Sequence, residues 1–275
     1  MSTAARRRPR GWWWTLLTVA ILAIYLFPVY LMLSASFQPD VTSATVQWIP
    51  TSPGVEGYTS VFDSGGLERL RVSLIVALGS VLVTLVVATP AAYALSRLRS
   101  RAVGTALVLL LLAQMIPSIV LANSFYAMFN SWGILNSYAG LILANATAGV
   151  PFAVILMRSF MLRLDHDIVE ASTLDGLGPV GSFLRVVVPL SRNAIITAAV
   201  FTFLFAWGDL LFGLTLVTKG DMYPVTVFIY SLTNSQFNTW ASVMAASLIA
   251  SVPALIVIFA AQRYVKAGIA AGGTK

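Results

Sequence analysis

A cluster of acidic side chains, together with the one histidine of the chain, lies between residues 165 and 175. They are Asp165, His166, Asp167, Glu170 and Asp175. Carboxylates beside a histidine could serve general acid–base catalysis or bind a metal ion. The chain has one His and no Cys, which leaves no thiolate nucleophile and argues against a histidine-rich metal site. The acid spacing is typical of helix caps and solvated charges, so we assign no catalytic, cofactor-binding or metal-binding residue.

A second set of polar residues lies within apolar segments. Asp209 carries the one formal charge found inside these segments, and Asn123 and Asn145 are uncharged polar residues within two others. A carboxylate in apolar surroundings faces an interior cavity or a specific partner. These three residues are therefore candidates for lining a polar path for a hydroxyl-rich solute. The alternative is structural pairing and hydrogen bonding between helices, which is the commoner use.

The composition shows which solvent must surround these segments. Apolar residues make up 58% of the chain and charged residues 10%, with a mean hydropathy of +0.86. A soluble domain carries about 25% charged residues. Six segments are long enough to cross about 30 Å of hydrocarbon as helices, which predicts an all-α, polytopic membrane protein with six transmembrane helices. The predicted spans are Trp12–Ser36, Val72–Leu95, Ala102–Asn123, Tyr138–Met157, Ala194–Val217 and Ala241–Ala261.

The Lys and Arg residues predict the orientation. Most of them lie before the first span, between spans two and three, between spans four and five, and after span six, whereas Arg69, Arg71 and Lys219 lie on the other side. The positive-inside rule then places both termini in the cytoplasm. The net charge of +7 is accounted for by this pattern, so we expect no nucleic-acid partner. A cleaved signal peptide is the alternative for the N-terminus, but the apolar run is too long for it.

This topology divides the chain into three parts. Residues 1–11 form a basic cytoplasmic segment, residues 12–261 form the six-helix membrane domain, and residues 262–275 form a cytoplasmic tail. Within the membrane domain, residues 37–71 form the long outer loop, either a docking surface or a connector. The loop 158–193 is the longest cytoplasmic connection.

The 158–193 loop has the pattern of a helix–turn–helix. Asp167 as N-cap and Glu170 three residues later predict a capping box. Gly176 or Gly178 would end the first helix in the left-handed conformation, and Pro179 suits the first turn of a second helix. Pro189 disfavours helix at the preceding residue and should break the chain before span five. Such a hairpin either contacts a partner or packs on its own bundle, and the residues leave both open.

The same loop resembles the signature of bacterial ABC-importer permeases, E-A-A-x3-G-x9-I-x-L-P. This chain has Glu170-Ala171-Ser172, then Gly176, and later Val186-Val187-Val188-Pro189. Ser172 replaces the second alanine, and valines replace isoleucine and leucine. Segments such as 34–39, 130–138 and 207–209 resemble the carbohydrate group, the maltose-type permeases, so the resemblance covers nearly the whole chain.

The resemblance implies a coupling helix, between helices four and five, that sits on a separate ATPase. The implied contact residues are Glu170, Ala171, Ser172, Leu174, Asp175, Gly176 and Pro189.

It further implies a bacterial inner-membrane protein in the lipid bilayer that forms half of the path for a sugar or polyol. The implied partners are a second six-helix permease, an ATPase dimer that binds ATP and Mg²⁺, and an extracytoplasmic solute-binding protein. No phosphate-binding G-x4-G-K-[ST] motif occurs in the sequence, so we expect no cofactor in this chain and ATP hydrolysis elsewhere. The alternative is a secondary transporter or a channel subunit, but the chain shows no internal repeat and few intramembrane charges.

Overall fold

The computed structural model describes residues 11–39, 41–42, 47–233 and 239–273, without the side chains of His166 and residues 265–273. Every regular element in these ranges is helical. Apolar segments of this kind form helices because lipid offers no hydrogen-bond partner to a backbone amide or carbonyl. The all-helical fold class predicted from composition is therefore confirmed for the described residues.

Thirteen α-helices make up most of the described chain. In chain order they are α1 (Trp12–Ser36), α2 (Glu56–Asp63), α3 (Gly66–Arg97), α4 (Arg101–Gln114), α5 (Ser118–Ser131), α6 (Tyr138–Met161), α7 (His166–Leu174), α8 (Pro179–Ser182), α9 (Val188–Leu190), α10 (Arg192–Trp207), α11 (Leu211–Leu216), α12 (Val225–Thr233) and α13 (Trp240–Gly273). A π-helical segment, Phe183–Val187, joins α8 to α9, and a 3₁₀ turn, Gly220–Met222, precedes α12.

Four of the described helices are long and apolar enough to cross a membrane unaided. They are α1, α3, α6 and the Trp240–Tyr264 part of α13. Two further candidates are bent pairs. The angle is 92° between α4 and α5, and 75° between Pro179–Leu190 and α10. The described chain therefore has four to six candidate spans, depending on whether a bent pair counts as one crossing.

The predicted third span is wrong as a continuous helix. The apolar length predicts one helix over Ala102–Asn123, whereas α4 ends at Gln114 and α5 begins at Ser118. Pro117 lies at the break with φ −59° and ψ 133°. The proline ring disfavours helical geometry at the preceding residue, Ile116, and cannot donate a backbone hydrogen bond. Apolar length alone did not reveal this break.

The predicted fifth span, Ala194–Val217, is also interrupted. Helix α10 ends at Trp207, and α11 begins at Leu211 after the short segment 208–210. By contrast, the predicted first span coincides with α1. Helix α2 lies in the 37–71 loop, where no helix was predicted; its eight residues are amphipathic but far too few and too polar to be found by a search for membrane-length apolar segments.

The chain divides into two compact units, Met1–Ser64 with Leu232–Ile249, and Gly65–Ser231 with Ala250–Lys275. The second unit is built on α3, α6 and α10, which pack against one another. Ala88, Ala153 and Ala198 are fully buried at these contacts. Small side chains let the helix backbones approach closely, which is how membrane helices gain packing energy where lipid gives no hydrophobic driving force.

The first unit holds α1, α2 and the start of α13. Gly57 of α2 lies against Ala241, so close that an added Cβ would be 2.9 Å from the Ala241 backbone. Ser36 at the end of α1 hydrogen-bonds the Tyr58 hydroxyl at 2.8 Å. Most side chains of α1 are exposed within the chain, with Trp14 at 74%. Lipid or another protein must cover this helix.

The close packing of α3, α6 and α10 around Gly149 predicts that a larger side chain there lowers the stability of the protein. A Cβ on Gly149 would lie 3.2 Å from Thr202 Cγ2 and 3.2 Å from Thr84 Oγ1. Because this junction is closely packed, Gly149→Leu should destabilise the protein by roughly 1–3 kcal/mol, measured as a lower thermal midpoint in detergent. Gly104→Leu is the control, since nothing lies within 4 Å of a Cβ there. Equal thermal midpoints for the two variants would contradict the packing argument.

Candidate functional site

The segment of residues 165–190, called the 165–190 hairpin below, begins with a helix cap. Asp165 Oδ1 accepts a hydrogen bond from Asp167 N at 3.2 Å, so Asp165 is the N-cap of α7. The predicted cap at Asp167, with Glu170 closing a capping box, is therefore wrong by two residues. Two acids, Asp165 and Asp167, both suit this position, and local preference cannot choose between them.

The turn after α7 depends on Gly176. Gly176 has φ +86°, its amide donates to Thr173 O at 3.1 Å, and Leu177 N donates to Ser172 O at 3.1 Å. This pair of bonds is a Schellman motif, whose left-handed position favours glycine. The prediction that Gly176 or Gly178 ends the first helix is confirmed for Gly176, whereas Gly178 is extended with φ −67°.

Ser172 and Ser182 join the two arms of the hairpin by a hydrogen bond between their hydroxyl groups, called the serine clasp below. Ser172 Oγ lies 2.5 Å from Ser182 Oγ and donates to Val169 O at 2.7 Å. Ser172 is 6% exposed and Ser182 is 2% exposed. The family resemblance implies Ser172 at a surface open to a partner, but the structure turns it inward. Ser182 was not identified, because nothing in the sequence shows that these two serines meet.

The second arm runs through Pro189 without a break. Pro179 lies in the first turn of α8, as predicted. Val188, however, is helical with φ −61° and ψ −49°, and the 75° bend follows Leu190. The prediction that helix is interrupted at Val188 is thus wrong, whereas the predicted break before span five is present as this bend, one residue beyond Pro189. Pro189 lies in the first turn of α9, directly after the π-helical segment, where a missing N–H is tolerated.

The outer side of the hairpin is apolar and uncovered within the chain. Leu174 is 89% exposed, Val180 70% and Leu184 57%. Contiguous exposed apolar groups of this kind mark protein or membrane contacts. The implied contact residues Glu170, Ala171, Leu174, Asp175, Gly176 and Pro189 are all exposed. The structure therefore presents six of the seven implied residues at the surface and buries the seventh, Ser172.

The inner side of the hairpin packs on helix α3. The ring centroids of Phe183 and Tyr93 are 5.4 Å apart, and Val187 is fully buried. Within the described chain, this aromatic contact therefore joins the second arm of the hairpin to α3.

A cavity of about 440 Å³, lined mostly by apolar side chains with a few polar groups, lies between the broken helices. Its walls include residues from the end of α4, the start of α5, the middle of α6 and the 208–210 break. Among them are Gln114, Ser118, Asn145, Phe152, Phe205 and Asp209. The structure thus brings Asp209 and Asn145 together, and it places the exposed Asn123 outside this cavity. Ser118 and Phe152 were not identified as lining residues from the sequence, because the cavity exists only where the helices bend.

Asp209 is held by backbone amides at the start of α11. Its carboxylate accepts from Phe212 N at 3.3 Å and Gly213 N at 3.2 Å. The Thr226 hydroxyl donates to the Asp209 carbonyl, and Asn145 donates its side-chain amide to Leu141 O at 3.0 Å. Asp209 thus has a structural role, since its side chain caps the first turn of α11. The same carboxylate also lines the cavity, so capping does not remove it from a polar path.

Metal binding has no support in the described part of the chain. No group of three His, Cys, Asp or Glu side chains is placed there to hold an ion. The chemistry available to the two sites is hydrogen bonding in the cavity and apolar contact at the hairpin tip.

The fold and these two sites define a polytopic membrane protein with an uncovered surface hairpin and, between broken helices, a cavity that contains a few polar groups. The family described as "Binding-protein-dependent transport system inner membrane component" matches residues 80–270. The chain belongs to this family. It is a multi-pass, inner-membrane permease subunit of a binding-protein-dependent ABC importer, a system in which a separate subunit is the ATPase.

Relatives match the chain over nearly its full length. A probable ABC transporter permease, y4oR of Sinorhizobium fredii, is 31% identical and covers 100% of this chain and 99% of the relative. The trehalose transport permease SugB of Mycobacterium tuberculosis is 29% identical, covering 97% and 98%. A bacterial ABC transporter that imports alginate has a chain of the same fold, with a TM-score of 0.77 at 18% identity, covering 96% and 99%.

The serine clasp predicts unequal effects of two alanine variants. Ser172→Ala leaves the buried Ser182 hydroxyl without its partner, which should lower the local stability of the hairpin by roughly 1–3 kcal/mol. Ser182→Ala should cost less, because Ser172 retains its bond to Val169 O. Hydrogen exchange of the 169–177 amides measures both. The double variant should lose less than the sum of the two, since the second change removes a bond already broken.

Thr173→Ala is the matched control for the clasp. Thr173 Oγ1 also bonds a carbonyl three residues earlier, but it is exposed. Amide protection should therefore change little in this variant. Additive losses in the double serine variant, or an equal loss in Thr173→Ala, would contradict a buried clasp.

The capping role of Asp209 predicts a graded loss of stability. Asp209→Ala removes the acceptor for two backbone amides and should cost roughly 0.5–2 kcal/mol, whereas Asp209→Asn keeps one acceptor oxygen and should lose less. Thermal unfolding in detergent measures this order. Asp221→Ala, which removes the same charge from an exposed turn, is the control and should leave the midpoint unchanged. A midpoint in Asp209→Ala equal to that of the unmodified protein would show that the cap contributes nothing.

Proposed function

We propose that this chain forms half of the translocation path of a sugar importer and is driven by a separate ATPase through the 165–190 hairpin. The observation that carries the proposal is the exposed apolar tip of α7, where Leu174 is 89% exposed. An apolar tip needs a protein to cover it, and the family to which the chain belongs works with an ATPase subunit.

The contact with the ATPase is proposed to centre on α7 and the turn after it. Glu170, Ala171, Leu174 and Asp175 lie on the exposed side of α7 or at its end, and Gly176 sets the direction in which the chain leaves it. Ser172 acts from inside by holding the hairpin shape. Pro189 lies on the second arm of the hairpin, next to the bend into α10.

The proposed topology has six crossings with both termini in the cytoplasm. This topology counts α4 and α5 together as one crossing, and it counts α10, which follows the bend after Leu190, as another. The basic residues support this orientation, because most of them flank the same side of the predicted spans. Residues 1–11 and 262–275 are then the cytoplasmic segments, and residues 12–261 form the membrane domain with the loop 158–193 inside the cell.

The substrate is proposed to be a sugar or a related polyol. Relatives are named for the transport of trehalose, diacetylchitobiose, alpha-glucosides and sulfoquinovosyl glycerol. The cavity supports this class, because it combines hydrogen-bonding groups from Asp209, Asn145 and Gln114 with the rings of Phe152 and Phe205. Hydroxyl groups and the apolar faces of sugar rings are matched by such a lining.

The proposed assembly contains three kinds of partner. A second permease of the same type completes the path and covers exposed helices such as α1. An ATPase dimer, which binds ATP and Mg²⁺, docks on the hairpin tips, and an extracytoplasmic solute-binding protein delivers the sugar. This chain itself carries no cofactor in the proposed assembly.

The coupling role predicts that Gly176 matters for transport more than for assembly. A β-branched side chain in the left-handed conformation costs roughly 1–2 kcal/mol, so Gly176→Val should distort the tip and lower solute uptake at least about tenfold. Uptake and ATPase stimulation are measured in vesicles that contain the complete complex, with the solute chosen by a ligand screen of the cognate binding protein. The ATPase subunit should still copurify.

Gly178→Val is the matched control for Gly176→Val. Gly178 is two residues away and extended, and, like Gly176, it has open space around a Cβ. It should retain most of the uptake. Normal coupled uptake in Gly176→Val, or failure of any ATPase subunit to copurify with the unmodified chain, would refute the proposed function.

A further inference from the structure

A second cavity, called the arginine cavity below, lies where α3 and α6 end. It has a volume of about 690 Å³ and is separate from the Asp209 cavity. Three arginines line it, together with leucines at its rim. These residues are Arg97, Arg99, Arg158, Leu98, Leu162 and Leu164. Neither the hairpin contact nor the sugar path makes use of this set.

The three guanidinium groups have no acidic partner in the described chain. Among the described residues the structure gives no carboxylate within 4 Å of Arg97, Arg99 or Arg158. Arg158 Nε donates to Leu95 O at 3.0 Å. Arg97 lies 5.6 Å from the centre of the Tyr93 ring, yet its Nε and Nη2 are buried without an acceptor. A charged group whose donors are buried without acceptors is costly. An anion in the cavity would not reach these two nitrogens, but it would offset the charge of the guanidinium group to which they belong.

Helix dipoles account for only part of this arrangement. Arg97 lies in the last turn of α3 and Arg158 in the last turn of α6, where cations are favoured by the free carbonyl groups. That explains the bond from Arg158 to Leu95 O. It does not satisfy the two buried nitrogens of Arg97, and it does not apply to Arg99, which lies beyond the end of α3.

The rim of the cavity indicates what kind of anion fits. Leu98 is 60% exposed and Leu162 is 51% exposed, and each directly follows one of the helices long enough to cross a membrane. A basic hollow with apolar side chains at its edge suits a ligand that carries a negative head on an apolar tail. Basic pockets between membrane helices bind acidic lipid headgroups in this way.

We propose that the arginine cavity is a binding site for a phosphate group, supplied by the headgroup of an anionic phospholipid whose acyl chains lie along Leu98 and Leu162. Arg97 and Arg99 contact the phosphate oxygens, and Arg158 closes the cavity from α6. The assignment to the cytoplasmic leaflet rests on the proposed topology, whereas the chemistry of the site does not.

Lipid retention by the complete purified complex tests this site without requiring transport. Native mass spectrometry after extraction should detect phosphatidylglycerol on the unmodified complex. Arg97→Gln and Arg99→Gln should each lower its occupancy about fivefold, the factor expected for the loss of one basic residue near an anionic headgroup. Arg101→Gln and Arg163→Gln are the controls, because both arginines are exposed and lie outside the cavity.

A second experiment identifies the source of the phosphate and uses only the unmodified complex, so it does not depend on the yield of the variants. Delipidated complex is titrated with phosphatidylcholine vesicles, with vesicles that also contain phosphatidylglycerol, and with inorganic phosphate. Thermal stabilisation by the phosphatidylglycerol vesicles alone supports the proposal. Equal stabilisation by inorganic phosphate would overturn the lipid as the source.

Two further outcomes would overturn the site. One is equal lipid retention in the cavity variants and the control variants. The other is release of the ATPase subunit from Arg97→Gln or Arg99→Gln with lipid retention unchanged, which would assign the arginines to an acidic protein surface. Loss of lipid with unchanged uptake would support the lipid site and leave the proposed import function untouched.

Discussion

Every backbone amide and carbonyl that enters hydrocarbon must find its hydrogen-bond partner within the protein, and the architecture of this chain follows from that constraint. Continuous helices meet it almost entirely through their own backbone hydrogen bonds, as α3 and α6 do, although Pro90 and Pro151 each lack an amide to donate. Where a helix stops inside an apolar region, other groups must take over the freed amides and carbonyls. Asp209 does so at the start of α11 by accepting two backbone amides. A cavity lined by apolar and polar side chains also opens at the helix breaks near Pro117 and Asp209, so the side chain that satisfies the backbone at one break, Asp209, also lines this cavity.

The 165–190 hairpin is built by other means. Its exposed backbone can bond to water, which allows short helices, a left-handed glycine and a π-helical turn in close succession. Such a small element has little apolar core of its own. The serine clasp and the contact between Phe183 and Tyr93 hold it together and attach it to α3. The coupling role that we propose for this hairpin would require such stiffness, because a compliant hairpin would absorb the displacement.

The arginines between α3 and α4 and at the end of α6 serve more than one physical purpose. Their number on one side of the spans predicts the orientation of the chain, and their positions at helix ends stabilise the free carbonyl groups. Clustering adds a third effect. Three guanidinium groups without a nearby carboxylate in the described chain create a hollow of positive potential at the end of two membrane helices. A phosphate-bearing lipid would relieve that repulsion, which none of the charges in the cavity wall can do.

The sequence by itself determined the properties that depend on local composition and spacing. These are the helical class, the bounds of α1, a left-handed turn at either Gly176 or Gly178 and the first turn at Pro179, because each is decided by residues adjacent in the chain. Tertiary structure decided which of Asp165 and Asp167 caps α7, that Ser172 faces Ser182, and that Asp209 and Asn145 share a cavity from which Asn123 is absent. It also decided that the third predicted span is bent at Pro117. Such features rest on contacts between residues far apart in sequence or on the balance between two locally acceptable conformations. In both cases the packing energy of the folded chain, and not the conformational preference of neighbouring residues, selects the observed structure.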